Sequence, residues 1–198
     1  MRKNKKNLNL FFDQISLISQ KIDLPKLEKI VKLILNLRKR SGRLFFVGVG
    51  GSAANCSHAV NDFRKLCGID TLTPLDNVAE LTANINDEGW ENSILNYLKI
   101  SKMNKNDILF VLSVGGGNLK KNVSVNLIKS IKFANKNKTK VVGICGKENG
   151  YLQKKGDVVL IVPNINNSLV TPYSESFQSI ILHSLVSDPR LQIKNTKW

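Results

Sequence analysis

The chain has little that would staple it together or anchor it. Its 198 residues hold three cysteines, Cys56, Cys67 and Cys145, an odd number with no Cys-x-x-Cys pairing. That fits a reducing compartment better than a disulfide framework. No apolar run approaches the roughly 20 residues of a membrane span. The basic opening MRKNKKNLNLFFDQ loses its apolar run at Asp13 and Gln14, so no signal peptide is expected and the protein reads as cytoplasmic. Acids are scarce, 15 against 30 Lys and Arg for a net charge of +15. Such a surface can attract nucleic acid, anionic membrane or phosphorylated metabolites. No Arg/aromatic interleaving accompanies the charge, and Lys, Asn and Ile recur along the whole chain. Most lysines therefore read as solvating groups, with neither a nucleic acid nor a membrane expected as partner. Histidine is rarer still, with only His58 and His183.

What is present is a regular alternation. Residues 1–40 read as a helical pair, the second helix carrying Leu27, Ile30, Val31, Ile34 and Leu37 at helical spacing with Pro25 in its first turn. Leu33 and Leu35 widen its stripe and suggest a subunit contact. From 43 to 190 short apolar runs alternate with helical segments. RLFFVG leads to a helix from Ser52, and TLTPL to a short helix. A helix near Glu91 to Lys102 precedes DILFVLSV, another from about Leu119 to Asn137 precedes KVVGICG, and DVVLIVP leads to a last helix near Pro172. Runs that are continuously apolar suit strands covered on both faces. Residues 1–198 are therefore expected to form a single domain of the doubly wound α/β class. It has a five-stranded parallel sheet flanked by helices and preceded by two N-terminal helices, with ligands at the carboxyl ends of its strands.

Two of those strand ends are glycine-rich: Gly48-Val49-Gly50-Gly51-Ser52 and Ser113-Val114-Gly115-Gly116-Gly117-Asn118. Glycines there allow a sharp turn and expose backbone N–H groups at a helix start, where an anion is favoured. Neither continues as Gly-Lys-Ser/Thr, and Ala53 stands where a dinucleotide fingerprint needs its third glycine. A pair of such loops on one sheet points to an anionic ligand.

GVGGSAANCSH resembles the GNGGSAADAxH signature of the sugar isomerase (SIS) domain, and of the phosphoheptose isomerase family in particular. Similarity continues through Asn86-Asp87, the Ser113 loop, the GKENG turn at 146–150 and the last helix, TPYSESFQSIILH. The resemblance implies a flavodoxin-like SIS fold and a homotetramer with active sites between subunits. It also implies interconversion of an aldose and a ketose phosphate, sedoheptulose 7-phosphate and a heptose 7-phosphate, with zinc in some members. Carried over by position, it implies Gly50, Gly51, Ser52, Asn86, Asp87, Ser113, Gly115, Gly116, Gly117, Asn118 and Glu175 at the sugar phosphate. Asp62 and His183 would carry the catalysis, and His58, Asp62, Glu175 and His183 would be the metal ligands.

Moving a carbonyl between C1 and C2 needs a base, an acid and stabilisation of an enediol, roles that carboxylates, histidines and a metal can fill. His58 and Asp62, at i and i+4, share a helical face. Against the family pattern, Asp62 replaces a glutamate, Glu175 a glutamine and Val49 an asparagine. The second loop lacks the family's hydroxyls and carries a two-residue insertion before Asn122. Glu175 and His183, eight residues apart, stand roughly 12 Å apart along a straight helix. Plainer roles stay open at this level: His183 as a satisfied histidine in IILHSLV, Asp62 as an ion pair with Arg64 or Lys65, Asp87 as a cap, Trp90 and Trp198 as packing residues. The alternative function is a non-catalytic sugar-phosphate-binding SIS protein acting through a protein partner.

Overall fold

A computed structural model describes residues 2–195; Trp198 lies outside them. The helical pair is α1 (Arg2–Gln20) and α2 (Leu24–Lys39), the latter capped by the Asp23 carboxylate accepting from the Lys26 N–H at 2.9 Å. The rest is β1 (Leu44–Val47), α3 (Gly51–Cys67), β2 (Thr71–Leu72), α4 (Val78–Glu88), α5 (Trp90–Ile100), β3 (Ile108–Ser113), α6 (Val125–Lys136), β4 (Lys140–Cys145), α7 (Tyr151–Lys155), β5 (Val158–Ile161) and α8 (Val170–Val186). The sheet is entirely parallel, in the order β2-β1-β3-β4-β5.

The continuous apolarity of the strands has its expected cause. Phe46, Phe110 and Ile144 pack under α1, α2, α3 and α8 on one face, while Phe45, Val111 and Val141 pack under α5, α6 and α7 on the other. Phe46 stacks on Phe110 at 4.8 Å between ring centroids. Fully burying side chains of this size stabilises by about 1.5–3 kcal/mol each, so the strands carrying the site loops are well anchored. No helix among the described residues is long and apolar enough to cross a membrane.

Two expectations are corrected. The helix expected from Leu119 begins only at Val125, because residues 118–123 close on themselves as a small hairpin. In it the Asn118 and Val123 N–H groups each donate to the other's carbonyl, at 2.9 and 3.0 Å. Trp90, at the start of α5, is 45% exposed rather than packed.

Candidate active site

The site grows from the turn between β1 and α3. Gly50 takes φ +65°, a left-handed conformation that costs a glycine little, and its carbonyl starts α3 by accepting from the N–H groups of Ala53 and Ala54. Gly50 and Gly51 are exposed, whereas Ser52 is buried with its hydroxyl turned inward. Seven and eleven residues down the helix stand His58 and Asp62.

Helix α8 runs beside α3 in the same direction. At the turn, a Cβ on Gly51 would lie 2.4 Å from the Glu175 carboxylate. One turn on, the Asn55 side-chain amide donates to the Glu175 carbonyl at 2.9 Å and to Gln178 Oε1 at 3.3 Å. Further on, the two histidines meet, Nε2 to Nε2 at 3.1 Å, with their rings edge-on at 5.0 Å. This parallel pairing removes the difficulty of the eight-residue spacing: Glu175 sits at the glycine turn, His183 at His58. Of the four expected metal ligands the structure brings together three, and Glu175 stands apart.

Those three are His58, Asp62 and His183. Asp62 is only 8% exposed. Its Oδ2 lies 3.0 Å from His58 Nε2 and 3.7 Å from His183 Nε2, while its Oδ1 accepts from the Asn61 side-chain amide at 3.0 Å. The imidazoles themselves are about half exposed. The geometry suits a metal: ligands about 2.0–2.1 Å from a tetrahedral zinc are about 3.3–3.4 Å from one another, and the observed separations are 3.1, 3.0 and 3.7 Å. Three ligands with a fourth position open is also how catalytic, rather than structural, zinc sites are built. The ion partners that Asp62 shows here are the two histidines.

The second loop, between β3 and α6, is arranged differently. Ser113 is buried and its Oγ accepts from the Gly116 N–H at 3.0 Å, so its hydroxyl serves the loop itself. Gly116 and Gly117 take φ +69° and +81°, and their carbonyls accept from the N–H groups of Leu152 and Tyr151 at the start of α7. Asn118 is exposed, its Oδ1 receiving the Lys121 N–H inside the hairpin. Asn86 and Asp87 are exposed on α4, bonded to each other at 2.8 Å, and no residue of α4 is buried. Within one chain the structure does not bring them to the histidines.

Asn55, Asn61 and Gln178 are polar side chains that sequence reasoning passed over, and no motif marks the last two. None of the cysteines offers a nucleophile: burial pushes the Cys67 thiol up to about 11 and the Cys145 thiol up to about 12, and it raises Cys56 as well.

Residues 11–146 match the family model of the SIS domain. The phosphoheptose isomerase of Leptospira biflexa is 30% identical over 171 residues, covering 83% of this chain and 82% of that protein. That of Helicobacter hepaticus is 26% identical over 166 residues, covering 81% and 79%. Among solved structures, the phosphoheptose isomerase GmhA from Neisseria gonorrhoeae superposes with a TM-score of 0.79 over 92% of this chain and 96% of that one. At 20% identity, that last likeness is one of fold.

Proposed function

The chain belongs to the phosphoheptose isomerase family of SIS-domain proteins, and from that premise we propose that it is a cytoplasmic isomerase interconverting sedoheptulose 7-phosphate and a heptose 7-phosphate. The observation that carries this reading is the convergence of His58, Asp62 and His183 at one end of the α3–α8 pair whose other end opens at a glycine turn. A carboxylate and two imidazoles in mutual contact also disfavour the non-catalytic alternative, which has no need of them.

The reaction moves a hydrogen between C1 and C2 through an enediol. Asp62 and His183 are assigned the proton transfers, each worth roughly 10²–10⁴-fold in rate, made through the carboxylate oxygen and ring nitrogen that the metal leaves free, since Asp62 Oδ2 and His183 Nε2 are the atoms that would hold it. His58 holds Asp62 Oδ2 toward the sugar. The metal that His58, Asp62 and His183 fit is assigned as zinc, which when bound polarises the substrate carbonyl as a Lewis acid. At the other end the exposed Gly50 and Gly51 backbone faces the sugar phosphate, helped by the N–H groups of Gly115 and Gly117. The Glu175 carboxylate beside Gly51 accepts from sugar hydroxyls.

The assembly assigned is a homotetramer with sites between subunits. One observation supports it: Leu8 and Phe12 on one flank of α1, and Leu10 and Leu17 on the other, are about half or more exposed beside the inward-facing Ile18. Light scattering should give a mass near four times 22.1 kDa.

The deciding assay is purified protein with sedoheptulose 7-phosphate in D2O, with zinc and with a chelator, followed by NMR. Conversion with deuterium entering at C1 or C2 is expected, strongest with zinc. No exchange or turnover of this or shorter ketose phosphates overturns the reading, and a ligand-dependent thermal shift without turnover would replace it with the binding role.

A further inference from the structure

Asp62 is the shortest carboxylate that could serve this cluster, and a shorter side chain has fewer ways to aim an oxygen. The torsion that orients its carboxylate is broad and roughly two-fold, so contacts decide which oxygen faces the imidazoles. The structure shows two sets. Oδ2 is turned to His58 and His183, and Oδ1 is held by the Asn61 amide at 3.0 Å. Neighbouring helical residues point about 100° apart. Asn61 therefore lies off the face that His58 and Asp62 share, and reaches the carboxylate from the side.

On that side Asn61 lines an open cleft of about 490 Å³ with Ser57, Val60, Arg64, Lys65 and Asp76. An open cleft admits water, which would otherwise compete for Oδ1 and let the carboxylate turn. An amide donating from the protein keeps one orientation. We propose that Asn61 is a positioning residue: it fixes the Asp62 carboxylate so that Oδ2 is presented to the site. The inference rests on His58, Asp62 and His183 being the reactive or metal-binding centre.

The test is Asn61→Ala, read three ways. In the metal-free protein, ¹⁵N shifts of the His58 ring report where Asp62 Oδ2 points and should move. Zinc affinity, measured by competition with a chromophoric chelator, should fall about tenfold, the lower end for loss of an outer partner of a ligand. The kcat should fall by a similar factor, with KM for sedoheptulose 7-phosphate within about twofold, since Asn61 is not placed at the phosphate. Asn61→Ser, which keeps a donor, should recover part of each effect and stands in should the alanine variant fold poorly. A merely structural role would weaken every background alike. Here N61A should have little effect once Asp62 is replaced by glutamate, whose extra reach does not depend on Asn61.

Unchanged His58 ring shifts overturn the inference whatever the activity. So do moved shifts with zinc affinity and kcat both intact, or equal losses in the Asp62 and glutamate backgrounds. A wild-type protein that turns over no sugar phosphate refutes only the proposed reaction, because the ring shifts and zinc affinity still read Asn61.

Discussion

The two glycine-rich loops end neighbouring strands of one sheet, yet they are built for different work. The first passes straight from β1 into α3, and that helix carries His58 and Asp62 about 10 Å and 17 Å from the turn at ~1.5 Å per residue. With α8 alongside, Glu175 at the turn and His183 at His58, one pair of parallel helices joins the glycine turn to the histidine cluster. The second loop runs from Ser113 to Val125 and folds on itself, its hairpin closed by Asn118 and Val123 and its glycine carbonyls tied to the start of α7. No reactive cluster stands on the helix behind it among the described residues. Glycine content makes the loops look alike. The helix behind each loop separates them: one leads to the cluster of His58, Asp62 and His183, and the other carries no such group among the described residues.

The largest effect expected tests the first half of that contrast. His183→Ala leaves both loops untouched and removes one corner of the cluster. It should lower kcat by ~10²–10⁴-fold with KM little changed, and His58→Ala should follow it closely. A rise in KM with kcat preserved would break the contrast, since the cluster would then be a binding element.

The second effect is smaller and is read on the other loop. A Cβ on Gly150 would lie 2.3 Å from the Gly115 carbonyl oxygen and 3.1 Å from Gly116 Cα, both backbone. Gly150→Ala must therefore displace the second loop, at a cost of about 1–3 kcal/mol for overpacking. Calorimetry should show Tm falling by several degrees, with KM raised and kcat retained. Gly51→Ala is the matched experiment on the first loop. There the added Cβ meets the end of the Glu175 side chain, at 2.4 Å from the carboxylate, and a side-chain end can swing away. Tm should stay within about a degree, while KM rises because Glu175 is displaced. Equal thermal losses in the two variants would mean that the loops are anchored alike.

The same contrast explains what could be read without coordinates. The five strands were legible because both faces of the sheet are covered, which forces LFFV, ILFVLS and their like to be apolar throughout. The first loop was legible because the turn leads directly to a helix. The start of α6 was not, because the hairpin depends on left-handed backbone at Asn122 and Ser124, φ +51° for each, and these residues adopt that conformation without requiring it. His58 and Asp62 could be paired by spacing. That His183 meets them depends on α3 and α8 running parallel, a tertiary fact that only the family resemblance anticipated. The same fact removed Glu175 from the cluster, since eight residues along α8 match seven along α3. Asn61 was invisible because adjacent helical side chains are not expected to share a site.

The smallest expected effect asks whether the two loops also differ in how readily they open. Each has a buried thiol behind it, Cys56 on α3 and Cys145 at the end of β4, where it pairs in register with Ser113. Cys145 Sγ donates to the Lys147 carbonyl at 3.5 Å, and burial holds its thiol up to about 12, so near pH 8 almost none is thiolate and labelling must pass through opened states. Cys56 lies beneath the clamped α3–α8 pair, where Asn55 bridges to Glu175 and Gln178. Cys145 lies beneath a loop held by backbone bonds to the five-residue helix α7. Opening α7 exposes fewer apolar contacts than parting α3 from α8. Iodoacetamide at low denaturant, read by peptide mass spectrometry, should therefore modify Cys145 a few-fold faster than Cys56, and both far more slowly than in unfolded protein. Cys56 labelling first would place the weak point at the catalytic helix, and the rigidity of that helix pair would no longer distinguish the two loops.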